Sequence, residues 1–236
     1  MAKRKKSIKL YQDYEDNIFS SLYHIKPITP TQETAFSYSS QNYNLVLHGI
    51  AGTGKTFLAC YFSLKELMDP KTKINNIVII RSVVPTRPVG YLPGNLSEKI
   101  AVYEAPYETI FYELLNKFES YENLKERNML NFSTTSFIRG ISYDNCIVIV
   151  DECQNMNLHE LDSIITRLGK NSKIIFSGDF MQSDFRNINE KNGIKDFMTI
   201  LDAMDSFKIV EFTLHDIVRS SLVKEYIVAK TKLAYC

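Results

Sequence analysis

The sequence predicts an α/β fold: a mostly parallel sheet with helices on both faces. Three observations carry this. Apolar runs and helical stretches alternate along most of the chain, and parallel βαβ units need helical cover on both faces of their sheet. The run Leu45-Val46-Leu47 leads into Gly49-Ile50-Ala51-Gly52-Thr53-Gly54-Lys55-Thr56, the pattern G-x-x-x-x-G-K-[ST] between a strand and a helix. A second apolar run, Ile147-Val148-Ile149-Val150, ends in the carboxylate pair Asp151-Glu152.

Taken in order, the chain opens on a basic segment over residues 1–27, with Lys3-Arg4-Lys5-Lys6 and Lys9, before one domain over 28–236. No apolar stretch follows the basic run, which argues against a secretory signal, and none approaches the ~20 residues of a membrane span. A helix is expected around 13–23, then the turn Lys26-Pro27-Ile28-Thr29-Pro30 and a short helix over 31–39 that includes Gln32. Strands rich in Ile, Val or Phe are expected at 45–48, 77–81, 146–150, 173–177 and 208–212. Helices are expected at 55–68, 98–119, 157–168 and 192–204, with a last one near 220–232. The stretch 81–95 carries Pro85, Pro88, Pro93, Gly90 and Gly94, so it reads as a shaped loop at the carboxyl end of a strand. Residues 120–140 fit either an additional strand or an insertion.

At 236 residues the chain can bury a sizeable core without disulfides or metals. Hydrophobic content of 44% and charged content of 23% are ordinary for a globular domain. The net charge of +1 advertises no global affinity for nucleic acid, so any binding groove must be local. Cys60, Cys146, Cys153 and Cys236 lie far apart with no C-x-x-C pair, which suits small core residues in a reducing cytoplasm.

The loop at 49–56 is built for phosphate. Its glycines let successive N–H groups point inward, and the following helix adds the positive end of its dipole. Lys55 can reach the β- and γ-phosphates, and Thr56 can offer its hydroxyl to Mg²⁺. Asp151 would hold Mg²⁺ through its water shell, while Glu152 would orient or activate the attacking water. Alone, an Asp-Glu pair could serve as helix N-terminal anions, but the preceding phosphate loop and Gln154 favour the chemical role. A third strand runs into Ser177-Gly178-Asp179, with Gln182 three residues on, where a serine or glutamine can sense the γ-phosphate. Arg219 follows the last expected strand, which places it at the nucleotide edge of a parallel sheet. Arg139 and Arg167 are further arginine candidates.

The order of these motifs resembles the PhoH family, P-loop ATPases similar to the first RecA-like domain of superfamily 1 helicases. The resemblance covers roughly residues 28–228. It rests on Thr29-Pro30-x-Gln32, the loop 49–56, and Arg81 with Gly90-Tyr91-Leu92-Pro93-Gly94-Asn95-Leu96-x-Glu98-Lys99. It continues through Ile138-Arg139-Gly140, Asp151-Glu152-x-Gln154-Asn155, Thr166-Arg167-Leu168-Gly169, Gly178-Asp179-x-x-Gln182 and Asp216-Ile217-Val218-Arg219. The resemblance implies a RecA-like P-loop fold that binds ATP with Mg²⁺ and hydrolyses it. Gln32 would then read the adenine edge, and the nucleotide-binding run would extend from Gly49 through Ile50, Ala51, Gly52, Thr53, Gly54, Lys55 and Thr56 to Phe57. Thr56 and Asp151 would serve the metal, Lys55 the phosphates, Glu152 the water, Gln182 the γ-phosphate sensing, and Arg219 a γ-phosphate contact. The segment 81–99 matches the place where such helicases touch single-stranded nucleic acid.

Two departures matter. These 236 residues are expected to hold one RecA-like domain without the second, so any translocation would need subunits that complete one another's sites, most simply a ring of identical copies. The turn before Gln182 reads Phe180-Met181, an apolar filling that weakens the sensing role. The leading expectation is an ATPase coupled to single-stranded RNA or DNA. The alternative is a nucleotide-switched module that binds a protein partner and has no helicase activity. A P-loop kinase is disfavoured, because no arginine-rich lid is evident and Glu152 with Gln154 suits a water nucleophile.

Overall fold

Strand and helix segments alternate into one six-stranded sheet in the computed structural model, which describes residues 22–82, 96–138, 140–180 and 188–233. The described elements are α1 (Pro30–Ser40), β1 (Asn44–Gly49), α2 (Lys55–Met68), β2 (Asn76–Arg81), α3 (Leu96–Leu115), α4 (Ser120–Glu126) and β3 (Leu130–Thr134). There follow β4 (Cys146–Asp151), α5 (Leu158–Ile165), β5 (Lys173–Gly178), α6 (Ile188–Asp202), β6 (Phe207–Phe212) and α7 (Ser221–Lys232). The sheet order is β3-β2-β4-β5-β1-β6, and every neighbouring pair is parallel.

Side-chain alternation divides the core into two layers. Leu45, Leu47, Ile77, Ile79, Ile147 and Ile149 face one side, where Leu58, Tyr61, Phe62, Tyr107 and Phe111 of α2 and α3 cover them. Val46, Val78, Ile80, Val148, Val150 and Phe176 face the other, against Leu161 and Ile164 of α5 and Phe197 and Leu201 of α6. All six residues of β4 are buried, which explains why that strand reads as an unbroken apolar run. Each fully buried Leu, Ile or Phe contributes about 1.5–3 kcal/mol, so this central strand anchors the sheet.

All five expected strands form, with ends within a residue of expectation. The sixth, β3, lies with α4 in the region 120–140, where the sequence allowed an additional strand or an insertion. Its five residues include the polar Asn131, Ser133 and Thr134, as an edge strand allows. The expected helix over 98–119 ends at Leu115, because Asn116 and then Glu119 adopt positive φ. The helix expected to reach 168 stops at Ile165, and the chain turns back to bridge Leu168 with Tyr143. Most of the helix expected at 13–23 and of the loop at 81–95 lies outside the described residues. Among the described residues no helix is long and apolar enough to cross a membrane.

Candidate nucleotide site

The carboxyl ends of β1, β4 and β5 meet at one edge of the sheet. After β1 the chain curls through Gly49, Gly52 and Gly54, all at positive φ (117°, 82° and 87°). Gly54 occupies the N-cap of α2 in the left-handed region and brings no capping side chain. The first N–H groups of a 14-residue helix are thus left to an anion. At Gly49 a side chain would collide with the Phe212 carbonyl oxygen, which also accepts from the Ile50 N–H at 3.1 Å. Gly49→Ala should therefore cost at least about 2 kcal/mol, from strained φ and overpacking together. Thermal unfolding of the purified variant checks this, and an unchanged melting temperature would contradict it.

Lys55, buried at 9% exposure, folds its ammonium over the loop and donates to the Gly49 and Ile50 carbonyl oxygens at 2.6 and 2.8 Å. Burial lowers its pKa, while the carboxylates of Asp179, Asp151 and Glu152 pull it back up. Thr56 donates its hydroxyl to Asp151 Oδ1 at 2.9 Å, joining residues 95 apart in sequence. Asp151 Oδ2 accepts from the Tyr107 hydroxyl at 2.7 Å. Burial first, then the Asp151 charge, raise the pKa of that phenol well above its ordinary value, so it remains a donor.

Glu152 follows at the end of β4 with φ of 52° and a side chain 40% exposed. The Gln154 amide donates to its Oε2 at 2.6 Å, and the Arg81 guanidinium stands 3.9 Å from Oε1. The same Gln154 accepts from the Asp179 N–H at 3.1 Å, which ties the carboxylate loop to the end of β5. β5 lies between β4 and β1, so Ser177 is in register with both Leu47 and Asp151. Its hydroxyl is buried with no hydrogen-bond partner among the described residues, an orphaned polar group at the inner end of the site.

Gln32 is 5% exposed beside the loop. Its amide donates to the Thr53 carbonyl at 3.3 Å and accepts from the Ile28 N–H at 3.0 Å. Arg219 is brought to the same loop: its Cγ lies 3.0 Å from where a side chain on Gly52 would begin, and the Val218 N–H donates to the Gly52 carbonyl at 3.0 Å. Ala51 is exposed at the loop tip, and Phe57, in the first turn of α2, packs partly against the core. Arg167 is not brought to the site; it sits beside Tyr143 at the opposite, amino-terminal edge of the sheet. Gln182, Arg139 and most of the 81–95 loop lie outside the described residues, and the side chain of Lys99 is likewise outside them.

Sequence reasoning passed over Tyr107 and gave Asp216, though part of a motif, no role. Tyr107 sits in a helix whose apolar pattern marks it as core, and only its hydroxyl shows otherwise. Asp216, 2% exposed, closes a capping box with Thr213. Burial raises its pKa, but hydrogen bonds from the Thr213 backbone and from the Thr29, Thr31 and Thr213 hydroxyls outweigh this and leave it lowered. Those bonds clamp the start of α1, and hence Gln32, to the turn that carries Arg219.

The residues present fit a nucleoside triphosphate with Mg²⁺. The loop's three glycines hold positive φ and Gly49 has no room for a side chain, the helix start is uncapped, a buried cation lies over the loop, and the hydroxyl and carboxylate suited to a hard metal are in contact. Thr56 and Asp151 would hold Mg²⁺, which would supply neutralisation of charge on the phosphates.

A family model described as PhoH-like protein matches residues 24–230. The PhoH-like protein of Synechocystis sp. is 33% identical over 182 residues, which is 77% of this chain and 54% of the relative. That of Bacillus subtilis is 33% identical over 185 residues, 78% of this chain and 57% of the relative. Protein PhoH of Escherichia coli is 30% identical over 176 residues, 74% of this chain and 49% of the relative. The chain spans about half the length of the curated relatives it matches. Among solved structures, the large terminase from a thermophilic bacteriophage aligns with a TM-score of 0.55 at 14% identity. That alignment covers 85% of this chain and 50% of the terminase, a likeness of fold.

Proposed function

The chain belongs to the PhoH family, and on that premise we propose that it binds ATP with Mg²⁺, hydrolyses it and couples this to single-stranded RNA or DNA. The observation that carries the hydrolytic reading is the contact between Thr56 and Asp151 beside Lys55. It unites the phosphate loop and the carboxylate strand from opposite halves of the domain. In this reading Lys55 holds the phosphates, and Thr56 and Asp151 would hold the metal. Glu152 takes a proton from water while Gln154 and Arg81 orient it, and Arg219 contacts the γ-phosphate from within the chain. Gln182 acts as γ-phosphate sensor. A cytoplasmic location goes with this proposal, supported by the free, buried Cys60, Cys146 and Cys153.

The nucleic-acid half is supported by surface on the same sheet edge. A cavity of about 380 Å³ lies between the Thr135–Phe137 turn and the start of α5, lined by Thr135, Ser136, Asn157, His159 and Ser163 among others. Phe137, 49% exposed beside it, offers a face on which a base can stack. Phosphate release from ATP is measured with and without single-stranded RNA or DNA. Stimulation is expected, weakening steeply with salt. No effect, together with ATP-dependent capture of a protein, would select the nucleotide-switched binding module instead.

A ring of identical subunits is proposed with it. α7 fully buries none of its side chains and exposes Leu222 and Tyr226, while Ile227 and Arg219 lie against Gly52. A neighbouring copy seated there would close the open side of the nucleotide site.

Base choice falls to Gln32. Its amide keeps one further N–H and one further lone pair, which suit N7 and N6 of adenine. Gln32→Ala should raise the Michaelis constant for ATP and narrow the preference for ATP over GTP. An unchanged ATP/GTP ratio would leave Gln32 as an anchor of Ile28 and Thr53 alone.

A further inference from the structure

We propose that Tyr107 is a positioning residue for the metal site, holding Asp151 so that one carboxylate oxygen faces Thr56 while the other is spoken for. This rests on the ATP–Mg²⁺ reading above. Tyr107 is fully buried on α3, its ring 5.7 Å from that of Phe132, and its hydroxyl meets Asp151 Oδ2 at 2.7 Å. Asp151 Oδ1 takes the Thr56 hydroxyl at 2.9 Å. A carboxylate at a strand end can turn about its Cβ–Cγ bond, and one donor on each oxygen fixes that plane. Groups that orient a metal ligand in this way are as much part of a site as the ligand itself.

The same face of α3 reaches the second carboxylate. Tyr103, one turn earlier, lies beneath the Arg81 guanidinium, 6.0 Å from ring centroid to the central carbon, and Arg81 faces Glu152 at 3.9 Å. Both carboxylates of β4 are thus referred to a single helix, through a hydroxyl in one case and a stacked cation in the other. None of the sequence motifs includes either tyrosine.

The structure supplies its own control. Tyr121 of α4 is another buried tyrosine whose hydroxyl donates to a carboxylate, Glu104 Oε1 at 2.8 Å, but that carboxylate is paired with Lys125 rather than with the phosphate loop. Mn²⁺ is titrated into the full chain with ADP, and the free-Mn²⁺ electron paramagnetic resonance signal is followed for wild type, Tyr107→Phe and Tyr121→Phe. Thermal unfolding is recorded in parallel without nucleotide. Tyr107→Phe removes one oxygen and keeps the ring, so the core around Phe132 stays packed. The expected result is Mn²⁺ binding weakened about 10- to 100-fold in Tyr107→Phe and unchanged in Tyr121→Phe, whatever their melting temperatures. Unchanged binding in Tyr107→Phe, or an equal loss in both variants, would overturn the positioning role. A wild-type chain that retains no Mn²⁺ beyond what ADP alone holds would overturn the ATP–Mg²⁺ reading itself, and this inference with it.

Discussion

Glu152→Gln should bind ATP almost as wild type does and turn it over about 10²- to 10⁴-fold more slowly. The side chain stands at the end of β4, 40% exposed, and is steered by Gln154 at 2.6 Å and Arg81 at 3.9 Å. Glutamine preserves the volume, and its carbonyl oxygen can still accept from Gln154. It adds no backbone strain beyond that already present at φ of 52°. What is lost is the ability to take a proton from water, together with the charge that faces Arg81 at 3.9 Å across a partly exposed gap. Nucleotide affinity and turnover on the same preparation separate binding from chemistry, and turnover at the wild-type rate would remove Glu152 from its role.

Lys55→Ala should abolish turnover and weaken ATP binding by at least about tenfold, since a charge-assisted hydrogen bond is worth about 1.5–3 kcal/mol. The ammonium already lies on the phosphate loop, bonded to two of its carbonyls and surrounded by Asp179, Asp151 and Glu152. Alanine leaves the cradle with its N–H donors but without its cation. The same variant reports on assembly. When it is mixed with wild type, turnover in a ring with shared sites falls faster than the wild-type fraction. A linear decline from a chain that sediments as a monomer would contradict the ring.

The phosphate loop and the β4 carboxylates were legible because their chemistry is local: one short segment fixes backbone, charge and hydroxyl together. Strands such as β4 were equally plain, since burial on both faces forces a continuous apolar run. β3 was only one of two possibilities for its region, because an edge strand needs little apolar pattern and Asn131, Ser133 and Thr134 interrupt what there is. The Tyr107–Asp151 bond spans 44 residues and depends on how α3 packs, which no local pattern encodes. Arg167, another motif arginine, is carried by the turn after α5 to the far edge of the sheet from its own chain's phosphate loop, so any part it plays at a nucleotide falls to a neighbouring copy's site.

Whether this sheet edge hydrolyses ATP is read most directly from the ADP and phosphate formed by the purified chain with Mg²⁺, with Lys55→Ala as reference. The expected result is steady Mg²⁺-dependent formation of ADP and phosphate in equal amounts by wild type, and none above background by the variant. Equal rates from the two proteins, or product formation indifferent to Mg²⁺, would contradict it.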